Sequence, residues 1–249
     1  MDNNYIFQYW EAIQNGTVTV GKWIKTIYEI LVNGLKSGKW DFDEEKANKA
    51  INFIENFCHH SEGRNDLLKL ELWQKAIVSA IFGIMDKRTG YRQFREVFIV
   101  VARKNGKTLF AAAIAAYMAY IDGEYGAKVY FLAPKLDQAD LVYDAFYQIV
   151  QADDELDSIT KKRRSDIYIK EFNTSVKKIA FNSKKSDGFN PQMVVNDEME
   201  AWQGDQGLKQ YEVMKSALGA RTQPMILSIS TGGEKAAAYF IHINRRIYQ

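Results

Sequence analysis

The stretch Phe98-Ile-Val-Val-Ala-Arg-Lys-Asn-Gly-Lys-Thr108 decides the fold of this chain. The apolar run from Glu96 to Val101 predicts a buried strand, and the polar residues 102–106 predict a turn. From Thr108 to Tyr120 the chain is rich in Ala and Met and lacks Gly and Pro, which predicts a helix. A strand, a turn with Gly-Lys-Thr and a helix, in this order, are typical of a phosphate-binding loop.

The residues at the predicted start of this helix suit a triphosphate and its metal ion. Unpaired N–H groups and the positive end of the helix dipole attract a polyphosphate. Lys107 is expected to reach the β- and γ-phosphates, and the Thr108 hydroxyl is expected to hold Mg²⁺. The full motif begins with a glycine, where this chain has Val101, so the turn must be made differently. The alternative is a basic loop that contains Gly-Lys-Thr by chance.

Length and composition restrict the class of protein. With 249 residues, 47% of them hydrophobic and 26% charged, the chain is typical of one large soluble α/β domain or of one domain with a small appendage. The single cysteine, Cys58, excludes an internal disulfide framework. The sequence contains no predicted signal peptide and no membrane span. The net charge of +2 neither requires nor excludes a nucleic acid partner.

The first 66 residues predict a helical segment that ends in the polar linker 61–66. Glycines at positions 34 and 38 are expected to interrupt the second helix. The apolar stripe of the third helix is interpreted as core, and a free-standing binding helix is the alternative. The three predicted helices span Tyr5–Ile13, Val20–Leu35 and Asp43–Phe57.

Beyond the linker, helical composition begins at Leu72, and Gln74 lies just inside this helix. A glutamine there can exchange two hydrogen bonds with an adenine edge, or it can be an ordinary exposed residue. After the phosphate loop, a second buried strand is predicted over Ala127–Ala133 and a helix over Gln138–Asp153, capped by Asp137.

The stretch from Asp153 to Ser165 is polar and includes the basic run Lys161–Arg164. We interpret it as a solvated loop, and contact with a phosphate backbone is the alternative. Alternating residues in Ile167–Lys170 and Val176–Phe181 predict a hairpin that turns at residues 173 and 174.

Two later strands end in residues suited to nucleotide chemistry. The strand that starts at Gln192 ends in Asp197 and Glu198. A carboxylate at the carboxyl end of a parallel strand can position Mg²⁺, and the next one can polarise an attacking water. The strand from Met225 runs into Ser230 and Thr231, whose hydroxyls can sense a γ-phosphate; an ordinary turn is the alternative.

Taken together, these motifs resemble the ATPase part of the large terminase subunit of tailed bacteriophages. The family's phosphate loop often lacks the first glycine and carries Arg-Lys-Asn-Gly-Lys before Ser or Thr, as this chain does. The matching segments are Leu72–Gln74, Ile81–Gly83, Val101–Thr108, Asp187–Pro191, Asp197–Glu198, Gly219–Pro224 and Ser230–Gly233.

The resemblance implies roles for many of the matching residues. An arginine that acts on a neighbouring subunit's site is also common in the family, and Arg221 is the candidate here. The implied nucleotide-binding residues are Gln74, Arg103, Lys104, Asn105, Gly106, Lys107 and Thr108. The implied Mg²⁺ ligands are Thr108 and Asp197, the catalytic residues are Glu198 and Arg221, and the coupling residues are Ser230, Thr231 and Gly232.

The resemblance also implies the fold and the function. We expect an α/β fold, a RecA-like P-loop ATPase domain over residues 67–249 with a mostly parallel central sheet flanked by helices. ATP hydrolysis with Mg²⁺ would drive double-stranded DNA into a procapsid, in the host cytoplasm and not in the mature virion. The implied partners are the portal protein and the terminase small subunit, with a homo-oligomeric ring on the portal and a monomer in isolation, and no membrane.

The family's C-terminal nuclease domain is not found in this sequence, so DNA cleavage is not expected. Two alternatives to the packaging motor remain. One is a helicase-like ATPase that remodels nucleic acid. The other is a nucleotide-gated clamp on DNA or the portal that binds ATP without efficient turnover.

Overall fold

A computed structural model describes residues 4–60, 63–134, 136–180, 188–199, 202 and 204–232. The chain divides into two compact units, which are described separately. The first contains Met1–Asn56 and Leu67–Phe94, and the second contains Phe57–Asp66 and Arg95–Gln249. This division differs from the boundary predicted at residue 66. Residues 67–94 pack in the first unit, and residues 57–66 pack in the second.

Within its described residues, the first unit is formed by helices and a two-stranded antiparallel sheet. The elements are α1 Tyr5–Gln14, α2 Lys22–Lys36, β1 Asp41–Phe42, α3 Glu44–Phe57, α4 Leu72–Gly83 and β2 Ile84–Met85. The apolar faces of α1, α2 and α4 bury one another, as amphipathic helices do. The buried side chains of this core are Ile6, Tyr9, Ile13, Tyr28, Leu31, Val32, Ala76, Ala80 and Ile84.

Helix α3 belongs to the packed interior, which confirms the core interpretation. Its Ala47 and Ile54 are buried. A Cβ atom built on Gly83 of α4 would lie 2.9 Å from the Ala47 side chain and 2.6 Å from the Phe42 ring. The two helices therefore approach closely because residue 83 has no side chain. The alternative of a free-standing binding helix is wrong.

Helix α2 passes through Gly34, so the predicted interruption at that position is wrong. A Cβ atom on Gly34 would lie 2.3 Å from the Trp40 ring, which explains why a glycine occupies the helix. The helix ends two residues before Gly38, whose φ of +67° is a left-handed conformation that favours glycine. The second predicted interruption is therefore the real helix end.

The second unit contains a seven-stranded sheet with the strand order β3-β9-β8-β4-β7-β6-β5. Strands β3, β9, β8, β4 and β7 are parallel, while β6 is antiparallel to β7 and β5 is antiparallel to β6. This confirms the expected α/β class with a mostly parallel sheet. The strands are β3 Glu96–Val100, β4 Lys128–Ala133, β5 Thr160–Lys162, β6 Ile167–Ile169, β7 Thr174–Ala180, β8 Met193–Asp197 and β9 Met225–Ser230; the helices are α5 Lys107–Tyr120, α6 Leu136–Ala152, α7 Asp154–Ile159 and α8 Gly204–Ala217.

Helices cover both faces of the sheet. Helix α5 packs against β8 and β9 and is apolar on all sides, as expected for a helix in the interior. On the other face, Tyr211 and Met214 of α8 pack with Val194 and Ile226. Within the described ranges, no helix is both long enough and apolar enough to cross a bilayer.

The region after β4 differs from its prediction in two places. Helix α6 begins at Leu136, two residues before its predicted start, so the predicted cap position Asp137 lies within the first turn. The expected solvated loop is wrong, because it contains α7, capped by the Asp153 carboxylate, and the edge strand β5. Asp153 accepts hydrogen bonds from two N–H groups at the start of α7, both 3.0 Å long. The β6–β7 hairpin is confirmed, although Phe181 lies outside the described residues.

Candidate active site

The loop between β3 and α5 makes its turn without the missing first glycine. Its left-handed residues are Lys104 and Gly106, each with φ of +67°. Val101 instead extends the pairing of β3 with β9, since its N–H donates to the Ser230 carbonyl oxygen (3.2 Å). A position that continues a strand has no need for a glycine, which accounts for the valine.

The loop is braced from within and leads directly into α5. The Asn105 side-chain amide donates to the carbonyl oxygens of Ala102 (3.0 Å) and Arg103 (3.3 Å). Gly106 takes the N-cap position of α5, and no described side chain caps this helix. The first N–H groups of α5 therefore remain available to an anion. Arg103 and Lys104 are exposed on the same loop.

Lys107, Asp197 and Glu198 meet at the start of α5. The Lys107 Nζ lies 3.1 Å from Asp197 Oδ1 and 3.4 Å from Glu198 Oε1. The side chain of Asp197 is 4% exposed, whereas that of Glu198 is 41% exposed. The fold thus brings Lys107 next to two carboxylates that follow it by 90 and 91 positions, because β8 lies beside β9 and close to α5. One ammonium group faces two carboxylates of different solvation.

Burial removes most of the water around the Asp197 carboxylate, which disfavours its charged form. Burial raises its pKa above the usual value, and this outweighs the lowering by the Lys107 ammonium. Its Oδ1 also accepts from the Glu198 N–H (2.8 Å), while its Oδ2 is buried without a partner among the described residues. A buried acceptor with an unused oxygen fits a hard cation such as Mg²⁺.

Few described side chains near the start of α5 could bind a metal ion. No group of three or more His, Cys, Asp or Glu side chains that could hold a metal occurs in the described part of the chain. Mg²⁺ is usually bound by one or two carboxylates together with water and substrate phosphates. Asp197 and the hydroxyl of Thr108, the second residue of α5, are the residues that fit this role.

Glu198 has an unusual backbone conformation. Its φ of +46° places a residue with a full side chain in the left-handed region. Conformations of this kind cost free energy and are concentrated at functional sites. Just before it, the Asp197 carbonyl oxygen accepts a hydrogen bond from the Trp202 indole (3.1 Å), which fixes the end of β8. The turn directs the second carboxylate away from the strand and into a half-exposed position.

The end of β9 contacts the phosphate loop. Ser230 is fully buried, Thr231 is 5% exposed, and the Ser230 hydroxyl donates to the Thr231 carbonyl oxygen (3.2 Å). A cleft of about 570 Å³ lies beside them. Its walls are formed by residues of both segments: Val100, Val101, Ala102, Arg103, Thr231 and Gly232. The predicted coupling residues therefore lie next to the loop, while Asp187 and Gly233 of the predicted motifs lie outside the described residues.

Sequence reasoning missed a buried polar pair between the two strands that carry these motifs. The Asn196 side-chain amide donates to the Ser228 hydroxyl (3.0 Å), and both residues are almost completely buried. The register places Asn196 directly opposite Ser228. Polar residues inside two apolar strands were the available signal. This pair joins β8 to β9 one residue before Asp197.

Gln74 has a local role in the first unit. Its side-chain oxygen accepts a hydrogen bond from the Glu71 N–H (2.9 Å), and the Glu71 carboxylate accepts one from the Gln74 N–H. The pair forms a capping box that stabilises the start of α4. The contact with adenine stays a prediction, and it would use the amide hydrogens and the second lone pair of the oxygen.

Arg221 lies at the other end of the sheet from Lys107. Arg221 precedes the first residue of β9, and Ser230 is the last residue of that strand. A six-residue strand is about 20 Å long, so Arg221 and Ser230 lie at least that far apart along β9. Its guanidinium donates to Asn190 Oδ1 (2.8 Å) and to the Gly126 carbonyl oxygen (2.6 Å). These partners lie before β8 and β4, at the same amino-terminal edge. Within its own chain Arg221 joins three loops, and its expected role at a neighbouring subunit's site stays a prediction.

Replacing Arg221 with alanine should destabilise the second unit. The side chain is 10% exposed, and its removal takes the guanidinium donor from the Gly126 and Tyr125 carbonyl oxygens. It also removes the cation 3.7 Å from the Glu124 carboxylate, which would keep only its backbone N–H partners. We expect a loss of about 2–4 kcal/mol in the free energy of unfolding, measured in urea. Arg103→Ala, at an exposed loop position, is the control. An unchanged unfolding midpoint for Arg221→Ala would contradict the structural role and favour action on a neighbouring subunit.

Comparison with known proteins places this geometry in a family. A sequence profile described as the terminase large subunit, ATPase domain, matches residues 72–243, which is more than half of the chain. The chain belongs to this family. Membership in the terminase ATPase family agrees with the resemblance read from the sequence motifs, and it makes the chain an ATPase domain. A search of curated protein sequences finds no match.

One solved terminase structure has a similar fold. The large terminase of bacteriophage HK97 is similar, with 23% identity and a TM-score of 0.68, over 82% of this chain and 42% of the HK97 protein. At this identity the likeness shows the fold alone, and this chain spans less than half the length of that terminase. The ATPase domain of the Thermus phage P74-26 large terminase aligns with 16% identity and a TM-score of 0.46, over 62% of this chain and 67% of that one. That score is too low to support an argument.

Proposed function

We propose that this terminase ATPase domain binds ATP with Mg²⁺ and hydrolyses it to drive double-stranded DNA into a procapsid. The observation that carries the proposal is the meeting of Lys107, Asp197 and Glu198 at the uncapped N-terminus of α5. An ammonium group and free N–H donors suit a triphosphate. Two carboxylates of unequal burial suit a metal ligand and a water-orienting base.

The Lys107 ammonium has to change partners when the nucleotide binds. In the structure it pairs with the carboxylates of Asp197 and Glu198. When ATP binds, the ammonium turns towards the β- and γ-phosphates, and this contact is stronger than a neutral hydrogen bond. Asp197 and Thr108 would hold Mg²⁺, which supplies positive charge to the phosphate oxygens. Gln74, Arg103, Lys104 and Asn105 are proposed as further nucleotide contacts.

Glu198 is proposed to orient the attacking water. Release of Lys107 frees its carboxylate to accept a proton or a hydrogen bond from that water. The half-exposed Glu198 carboxylate is accessible to water, whereas the Asp197 carboxylate is almost completely buried. The two neighbouring carboxylates therefore divide the work between metal binding and catalysis.

Hydrolysis can be transmitted to the rest of the domain through β9. The Val101 N–H donates to the Ser230 carbonyl oxygen, so the phosphate loop and the end of β9 share a hydrogen bond. A change at the γ-phosphate would then reach Ser230, Thr231 and Gly232, which we propose as the coupling residues. The proposed partners are double-stranded DNA, the portal protein and the terminase small subunit, with a ring on the portal and action in the host cytoplasm.

The isolated chain is expected to hydrolyse ATP slowly. A neighbouring subunit's arginine typically contributes a factor of ~10³–10⁵ to the rate, and a monomer lacks it. We therefore expect turnover well under ~1 s⁻¹, rising more than linearly with protein concentration. Phosphate release measured over a dilution series checks this, with sedimentation on the same samples. Fast turnover that is proportional to protein concentration would contradict an assembly-dependent motor.

A further inference from the structure

A second surface of the chain combines lysines, an arginine and a tyrosine on the half of the sheet formed by β4, β7, β6 and β5. The basic run Lys161–Arg164 lies in this region, and the structure divides it between the two faces of the sheet. Paired residues in neighbouring strands share a face, and successive residues of one strand alternate between faces. The register therefore decides which cations stand together.

The register assembles one row of side chains across four strands. Lys161 of β5 pairs with Tyr168 of β6, Tyr168 pairs with Ser175 of β7, and Ser175 pairs with Lys128 of β4. Lys177 lies two residues after Ser175 and so shares this face. Lys161 is exposed, and the other side chains of the row are partly exposed.

Arg163 completes this face. Its guanidinium stacks 3.4 Å above the centre of the Tyr168 ring. The Asp166 carboxylate, which is 5% exposed, lies 4.0 Å from the Arg163 Nε. We call Lys128, Lys161, Arg163, Tyr168 and Lys177 the basic face. The face defined in this way carries four cations.

The opposite side of the same strands is different. Lys162 lies 3.9 Å from the centre of the Tyr147 ring of α6, and Lys178 forms an ion pair with Asp140 of the same helix. These cations are satisfied by α6 beneath them. The lysines on the two faces of these strands therefore differ, because those on the α6 side have partners on that helix. Lysines on an edge strand can also prevent it from pairing with strands of other molecules.

We propose that the basic face binds the phosphate backbone of double-stranded DNA. Lysine and arginine side chains spread over neighbouring strands neutralise successive phosphates without reading the bases. The stacked Arg163 presents its guanidinium in a fixed orientation, which suits a phosphate oxygen. This inference rests on the proposed function, since DNA is taken as the polyanion because a packaging motor must hold it.

The test measures binding of a short DNA duplex to the full chain over a series of salt concentrations. A combined Lys128→Ala, Lys161→Ala and Lys177→Ala variant should bind at least about tenfold more weakly, and its slope of log affinity against log salt should fall by about 3. A combined Lys22→Ala, Lys25→Ala and Lys36→Ala variant on α2 removes the same charge and should bind like the parent.

Two neighbouring single variants sharpen the test. Lys161→Glu should weaken binding, whereas Lys162→Glu makes the same charge change on the opposite face and should not. Equal affinities and equal salt slopes for the parent and the triple basic-face variant would overturn the proposal. So would equal losses for Lys161→Glu and Lys162→Glu, or a parent chain that does not bind duplex DNA.

ATP turnover without DNA is measured on the same preparations. It should be unchanged in the basic-face variants, because Lys128 lies at the amino-terminal end of β4, opposite the end of the sheet that carries Asp197, and Lys161 and Lys177 lie on β5 and β7. A parent that binds DNA through this face but does not hydrolyse ATP would contradict the proposed function and leave the DNA surface standing. The two claims can therefore fail separately.

Discussion

Replacing Lys107 with alanine is expected to abolish measurable binding of ATP while the fold stays intact. The Lys107 Nζ faces two carboxylates and not the apolar core, so its removal creates no large cavity. Two charge-assisted hydrogen bonds to phosphate oxygens contribute about 3 kcal/mol or more, which is a factor of ~100 or more in affinity. Repulsion between the triphosphate and the uncompensated carboxylates of Asp197 and Glu198 adds to this loss.

Calorimetric titration with ATP and Mg²⁺ measures the effect, and circular dichroism verifies the fold. Lys25→Ala is a suitable control, because it removes the same charge from an exposed position on α2. A Lys107→Ala protein that binds ATP with the parent's affinity would show that the loop before α5 is not the phosphate site.

Replacing Glu198 with glutamine is expected to separate binding from chemistry. The amide keeps the size of the side chain and the left-handed backbone at this position, but it loses the negative charge that orients water. Turnover should fall by at least ~10²-fold. ATP affinity should change little, because Asp197 and Lys107 remain in place.

Glu155→Gln, on the exposed surface of α7, makes the same chemical change away from the site and should not affect turnover. Unchanged turnover in Glu198→Gln would remove Glu198 from the catalytic role. The next residue to test would then be Glu200, which lies outside the described residues.

The residues that meet at the site could be predicted from the sequence because each follows or ends an apolar strand. The prediction that β3 is buried is wrong, since β3 lies at the edge of the sheet and Val100 is 43% exposed. Lys107, Asp197 and Ser230 lie at the carboxyl ends of parallel strands or at the start of the helix that follows one. Parallel strands bring these ends to one edge of the sheet, so a motif order along the chain becomes a cluster in space. The α/β class follows from the same alternation of strands and helices.

Other features depend on contacts between distant segments, which local patterns do not encode. Arg221 was selected by residue type, whereas its partners lie about 30 and 95 positions earlier in the chain. Gly34 carries the composition of a helix breaker, but the Trp40 ring makes its lack of a side chain necessary. The basic run Lys161–Arg164 could not be divided between faces until the register of β5 was known.

The central claim is that ATP is hydrolysed where Lys107, Asp197 and Glu198 meet. The most direct test is a single-turnover measurement, with protein in excess over labelled ATP, on the parent and Glu198→Gln proteins at equal nucleotide occupancy. The account predicts that the parent releases phosphate only when Mg²⁺ is present and that the variant releases it at least ~10²-fold more slowly. Equal rates for the two proteins, or a parent that binds ATP without releasing phosphate, would contradict it.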